Sequence, residues 1–241
     1  MSLRVENLSV SFGGLQALKN VSLEIPAGKI VGIMGPNGAG KTTFFNLVTG
    51  VYRPSSGTVQ FGDKPLHGRT PARVCRAGIA RTFQSGRPFA SLTVMENVLT
   101  GLYYGADEAR PADVRGRGRE ILTFVDLAAK SDRVVSSLNL VDRKMVEVAR
   151  ALATRPKLLL LDEPLAGLHP LNLGPAIQIV RRIRDELGIT VVWVEHIIQV
   201  LMETCEHLIV LDHGEKLAEG TPGEMAANPA VAEAYFGRKR I

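Results

Sequence analysis

The stretch Gly35-Pro36-Asn37-Gly38-Ala39-Gly40-Lys41-Thr42 constrains this chain more than any other, because it fits G-x-x-x-x-G-K-[ST] without a mismatch. Before it runs Lys29–Met34 (KIVGIM), an apolar stretch bounded by glycines, as a buried strand would be. After it, a helix is predicted from near Lys41 to just before Gly50. Glycines let backbone N–H groups curl around phosphate oxygens with no Cβ in the way. The helix adds unpaired N–H groups and the positive end of its dipole. In such a loop Lys41 reaches the β- and γ-phosphates, and Thr42 places its hydroxyl on Mg²⁺. Thr43 completes the expected phosphate contacts.

A phosphate loop calls for a carboxylate site beside it. Leu158-Leu159-Leu160-Leu161-Asp162-Glu163 supplies one, because a buried strand delivers two acids at its C-terminal edge. Asp162 is expected to hold Mg²⁺ through water. Glu163 is expected to orient or deprotonate the water that attacks the γ-phosphate.

The rest of the chain supports an α/β fold with additions. Leu3, Val5, Leu8, Val10 and Phe12 read as one strand ending at Gly13-Gly14, and Val21, Leu23 and Ile25 as a second. The middle turns helical. Thr93 and Glu96 form a capping box, and Gly, Pro, Arg and Asp crowd 105–118 as an exposed loop. Met145, Val148, Ala149 and Leu152 make a helix face before Arg155-Pro156. Strands follow at Leu158–Leu161, Ile189–Val194 and His207–Leu211. Between the first two, Leu173, Ile177, Val180, Ile183 and Leu187 mark a helix stopped by Gly188. Asp212-His213-Gly214 turns the last strand into Lys216–Ala218.

Composition narrows the classes. Of 241 residues, 45% are hydrophobic and 22% charged, which excludes a disordered or collagen-like chain. Cys75 and Cys205 cannot build a disulfide scaffold, so a reducing compartment is expected. No apolar run approaches the roughly 20 residues of a spanning helix, and the N-terminus lacks the pattern of a signal peptide. The net charge is +5, and residues 64–120 alone carry +5. That balance suits phosphate-bearing partners or a docking face.

These motifs, with Gln84 and His196 at their spacings, resemble the ATP-binding subunits of ABC transporters. Within that family the chain is similar to the ATPases of branched-chain amino-acid importers, from Leu3 to Gly237. The likeness is carried by Phe12-Gly13-Gly14-Leu15-Gln16-Ala17-Leu18, Gly78-Ile79-Ala80-Arg81-Thr82-Phe83-Gln84 and Leu92-Thr93-Val94-Met95-Glu96-Asn97-Val98. It extends through Ala166-Gly167-Leu168-His169-Pro170, Val194-Glu195-His196 and Ala218-Glu219-Gly220-Thr221-Pro222. The resemblance implies one cassette: a P-loop core with an antiparallel β subdomain over 1–85 and 156–241, and an inserted helical lobe over 86–155. It implies that Phe12 stacks on adenine, that Gln84 reaches Mg²⁺ and the attacking water, and that His196 contacts the γ-phosphate. ATP and Mg²⁺ are the implied ligands. Membrane permease subunits, a second ATPase subunit and, indirectly, a solute-binding protein are the implied partners, at the cytoplasmic face of the membrane. The length leaves no room for the long inserts of DNA-repair relatives, so no nucleic acid is expected.

One segment departs from the family pattern. Its signature, close to L-S-G-G-Q, falls here on Leu138-Asn139-Leu140-Val141-Asp142. In the family this segment reaches a γ-phosphate on the partner chain. Asn139 replaces Ser conservatively, since both cap helices. Val141 adds a branched side chain, and Asp142 adds negative charge facing a polyphosphate, a repulsion of about 1 kcal/mol. The chain's own pocket is thus expected to be intact and its contribution to a partner's pocket degraded, which favours a heterodimer and weak turnover by the chain alone. The alternative is a regulatory cassette with little hydrolysis of its own. His169 stands where relatives place Asp or Asn.

Overall fold

The computed structural model describes residues 1–83, 88–105 and 111–236. The chain opens with the antiparallel pair β1 (Leu3–Phe12) and β2 (Leu15–Ile25). β3 (Ile30–Met34) leads through the glycine loop into α1 (Lys41–Val48). β4 (Ser56–Phe61) and β5 (Lys64–Pro65) complete a first sheet in the order β2-β1-β4-β5. Then come α2 (Pro71–Arg76), β6 (Ile79–Arg81), α3 (Val94–Tyr104), α4 (Val114–Phe124) and α5 (Leu140–Ala153). The chain finishes with β7 (Leu158–Asp162), α6 (Leu173–Asp185), β8 (Thr190–Val194), α7 (Ile198–Thr204), β9 (His207–Asp212), β10 (Glu215–Gly220), α8 (Pro222–Ala226) and α9 (Pro229–Phe236).

The second sheet runs β10-β9-β3-β8-β7-β6, parallel except for β10 at its edge. Parallel strands covered on both sides are apolar along their whole length, and β3, β7 and β8 are buried at every position. The sheet therefore has a core on each face. Val31, Ile33, Leu158, Leu160, Val192 and Val194 join α1 and the antiparallel sheet in one cluster. Ile30, Met34, Leu159, Leu161, Val191 and Trp193 join the helices, α3 and α5 among them, in the other.

Local chemistry explains details the periodicity left open. Val5 and Leu8 lie three residues apart, the wrong spacing for one face of a strand. A register shift between them, with Asn7 at φ 49°, returns both to the core. His213 and Gly214, with φ of 45° and 81°, form the tight turn into β10. The capping box at Thr93 and Glu96 starts α3. The expected loop over 105–118 ends sooner than its composition suggests, because Asp113 accepts a hydrogen bond from Gly116 N at 2.7 Å and α4 begins at Val114. Gly118 is tolerated in that helix because a Cβ there would lie 2.8 Å from Met95 Sδ. Close approach likewise selects Gly101, whose Cβ would lie 2.5 Å from Arg150 O as α3 packs on α5.

Candidate functional site

The carboxyl ends of β3, β7 and β8 lie side by side, which is where open parallel sheets hold their ligands. From β3 the chain enters the loop at Gly35, whose φ is 148° and whose Cβ would sit 2.0 Å from Leu211 O. Gly38 and Gly40 follow with φ of 81° and 102°. A Cβ would collide at Gly35 and Gly40, and the positive φ disfavours one at Gly38, so bare backbone at these three positions can turn its N–H groups along the path. Gly40 is the N-cap of α1 and offers no side-chain cap, and the first turn of α1 holds no acid. The helix end is left to face an anion. Lys41 Nζ donates to Gly35 O at 2.6 Å and Pro36 O at 3.0 Å, drawing the loop around the ammonium. Burial lowers the Lys41 ammonium below its ordinary value, against the pull of the Glu163 and Asp162 carboxylates.

β7 delivers the acids. Its pairing with β8 places Asp162 opposite Val194, so the residues that follow, Glu163 and His196, emerge together. Glu163 has φ of 50°, and its N–H is tied to Val194 O at 2.9 Å. Its Oε1 lies 2.7 Å from His196 Nε2. Glu163 is buried while the His196 side chain is half exposed, so the pair spans from protein interior to cleft. Glu195 supports the turn, accepting from Leu165 N at 2.7 Å and His196 N at 3.3 Å. Burial raises its carboxyl above the usual range, offset in part by those hydrogen bonds.

Asp162 is 1% exposed. Its Oδ2 receives Arg81 Nη2 at 2.6 Å, and Arg81 Nη1 donates to Asn46 Oδ1 at 2.6 Å. Burial raises the Asp162 carboxyl, and the Arg81 guanidinium opposes that rise. The other oxygen, Oδ1, is buried and has no hydrogen-bond partner. An unpaired buried carboxylate oxygen beside the Thr42 hydroxyl's loop suits a hard cation that takes oxygen ligands and keeps waters and phosphate oxygens for the rest.

A cleft of about 650 Å³ joins the glycine loop to Glu163 and His196, and Asp162 is not among its described lining residues. Phe12, Asn37–Thr43, Glu163 and His196 line it, with Lys19 and His213 at its walls. Phe12 is 44% exposed and meets Tyr52 edge-on at 4.9 Å, so its ring stands at the surface rather than in the core. Gln84 lies outside the described residues. Arg81, which holds Asp162, and Glu195, which supports the turn before His196, are contacts that motif reading passed over. Both stand inside the segments 78–84 and 194–196, but only strand pairing reveals what they touch.

The signature segment begins α5. Asn139 is its N-cap and accepts from Asp142 N at 2.8 Å. Leu138 is buried, Leu140 is half exposed and Val141 is half-buried. Asp142 differs from the sequence expectation. Its carboxylate is buried and paired with Lys130 Nζ at 2.6 Å. The charge is therefore compensated within the chain and is not presented outward. Leu140 Cδ2 instead lies 3.3 Å from where a Cβ of Gly167 would be. His169 N-caps the short turn at Pro170–Asn172, its Nδ1 accepting from Leu171 N at 3.4 Å, a service that Asp or Asn also performs.

The family model described as ABC transporter matches residues 18–166, and that described as branched-chain amino acid ATP-binding cassette transporter matches residues 215–240. The high-affinity branched-chain amino acid transport ATP-binding protein LivG of Salmonella typhimurium is 37% identical, over 98% of this chain and 97% of its own length. The corresponding BraF protein of Pseudomonas aeruginosa is 34% identical over the same shares. Among solved structures, the ADP conformation of an ATP-binding cassette of an ABC transporter superposes with a TM-score of 0.88 at 33% identity, covering 99% of this chain and all of that one. A dimeric post-hydrolysis cassette bound to ADP and phosphate gives 0.81 at 29% identity, over 91% of this chain and 98% of that one.

Proposed function

The chain belongs to the ABC transporter ATP-binding cassettes, and from that premise we propose how its cleft works and what it serves. It is an ATPase subunit of an ABC importer, working with membrane permease subunits and peripheral to the membrane. Among the described residues no helix is long and apolar enough to cross a membrane.

In the proposed reaction, adenine stacks on Phe12 and the phosphates lie on the loop from Gly35 to Thr43. Glu163 orients the water that attacks the γ-phosphorus and accepts its proton as the bond to the bridging oxygen breaks. His196 holds Glu163 Oε1 in place, and Lys41 stabilises charge on the departing phosphate. Thr42, Asp162 and Gln84 would hold Mg²⁺, which neutralises phosphate charge when bound. The reading rests above all on the Glu163–His196 pair facing Lys41 in one cleft. In the assembled transporter, Glu163→Gln is expected to lower ATP turnover by about 100-fold or more with ATP binding retained. Full turnover by that variant complex would support the regulatory alternative instead.

The cargo follows from the relatives named for branched-chain amino acids, and a transporter that takes up labelled urea but not leucine would overturn it. In this reading the subunit works at the cytoplasmic face of the membrane and is served from outside by a solute-binding protein. For the second cassette we favour a different subunit. Leu140 and Val141 put side chains where glycines permit close backbone approach, so the obstacle is shape, since Lys130 already answers the Asp142 charge. Weak ATPase activity by the purified chain, raised by a partner cassette with a glycine-bearing signature, is the expected result.

A further inference from the structure

Arg81 closes β6, and its side chain is only 5% exposed. Several elements hold it. Nη2 donates to Asp162 Oδ2 on β7, and Nη1 donates to Asn46 Oδ1 on α1, each at 2.6 Å. Nη1 also reaches Thr49 Oγ1 at 3.4 Å, just past the end of α1. The guanidinium carbon stands 5.4 Å from the Phe45 ring centre and 4.9 Å from the Phe83 ring centre. Asp162 is fixed through its backbone too, where its N–H donates to Thr82 Oγ1 at 3.3 Å.

A guanidinium can meet both oxygens of one carboxylate through two parallel N–H groups. That arrangement would be expected if Arg81 served only to neutralise a buried acid. Here the fork is split. One arm takes Oδ2, the other takes α1, and Oδ1 stays buried without a hydrogen bond among the described residues. A bare buried carboxylate oxygen is costly unless a donor or cation completes it. With the Asp162 backbone and Oδ2 both held, the position of Oδ1 is set as well.

We propose that Arg81 is a positioning residue for the metal site. It pins Oδ2 of Asp162 so that Oδ1 is the oxygen kept for Mg²⁺ or its bound water, and it ties that carboxylate to α1, the helix that begins with Lys41 and Thr42. The proposal deepens the ATPase reading above and rests on it. Partners that orient a metal-binding carboxylate raise its affinity for the metal. Arg81 is itself a cation, so two effects of opposite sign are in play. Loss of orientation weakens metal binding, whereas loss of a repelling charge alone would strengthen it. Lysine is no substitute, because one ammonium lacks the planar fork that spans Asp162 and Asn46.

The test titrates the full-length chain with a non-hydrolysable ATP analogue by calorimetry, once in EDTA and once in excess Mg²⁺. The ratio of the two affinities is the metal's contribution. Arg81→Met is expected to lower that ratio by about tenfold or more, while the affinity in EDTA stays within about twofold. Arg81→Lys is expected to lower it less, and Asn46→Leu less again, since the contact to Asp162 survives. In the assembled transporter carrying Arg81→Lys, the Mg²⁺ concentration for half-maximal turnover should rise, with kcat largely regained at saturating Mg²⁺. An unchanged ratio in Arg81→Met would overturn the proposal and leave Arg81 a structural ion pair. A raised ratio would overturn it by showing that Arg81 competes with the metal. An equal loss in EDTA and in Mg²⁺ would overturn it by assigning Arg81 to the shape of the phosphate loop. Should Arg81→Met fail to fold, Arg81→Lys is read against the same outcomes. A parent chain that binds no analogue in either condition would sink the ATPase reading itself, and this proposal with it.

Discussion

Two helix starts in this molecule make an instructive contrast. α1 begins behind Gly40, with a left-handed N-cap, no capping side chain and no acid in its first turn. α5 begins behind Asn139, whose side chain takes the Asp142 N–H, and carries Asp142 in its first turn. Both ends hold the same unpaired N–H groups and the same positive dipole. At α1 those groups remain for an outside anion. At α5 one of them, the Asp142 N–H, is answered from within, and the acid is closed off by Lys130. Local capping, more than the helix itself, separates the end proposed to take phosphate from the end that answers one of its own donors.

Several substitutions would break or sharpen that contrast. Lys41→Ala removes the cation that closes the loop at α1, and turnover of the assembled transporter is expected to fall by about 100-fold or more in a phosphate-release assay. Retained turnover would mean the open helix end suffices alone. Within α5, Glu147→Gln tests what a buried acid without an ion pair costs, in contrast to the paired Asp142. Burial raises the folded carboxyl to about 7, so the fold favours its protonated form. That contribution is present below the unfolded value near 4.5 and is lost as pH rises through 7. Thermal melts should therefore show Glu147→Gln more stable than the parent by roughly 2 kcal/mol at pH 8, and equal to it near pH 4.5.

Leu140→Gly combined with Val141→Gly opens the start of α5. Turnover by the purified chain should rise roughly tenfold, about 1.4 kcal/mol in barrier, if the departed signature limits it. No change would show that shape at α5 is not the obstacle. The smallest effect is expected from Asn139→Ala, a loss of about 1 kcal/mol in urea unfolding, because the cap at Asp142 N is removed. No loss would mean that water replaces the cap and that α5 is as open as α1.

Much of the cleft proposed to take nucleotide was legible in the residues. The order Gly35 to Thr42 admits few alternatives, because glycine, lysine and hydroxyl each answer one physical need of a bound phosphate. The main strands were legible for a similar reason: fully buried parallel strands must be apolar throughout. Legibility failed where the reason for a residue lay far along the chain. Gly116 and Gly118 read as loop, yet Asp113 caps the helix and Met95 needs the space. Asp142 read as a charge aimed at a partner, yet its cation is Lys130.

The sequence by itself determined the chemistry on offer: a phosphate loop, two acids after a buried strand, a histidine and a departed signature. Only the tertiary structure decided which of these groups meet. Pairing of β7 with β8 sets Glu163 against His196, and the neighbouring strand β6 brings Arg81 to Asp162. It also leaves Glu147 buried, with Lys144 and Arg150 acting on it only at a distance and no hydrogen bond or ion pair among the described residues. The physical reason is range. Capping, turn and phosphate-loop chemistry act over a few residues and are written locally. The ionic state of a buried acid depends on its surroundings, which the sheet register and helix packing assemble from distant parts of the chain.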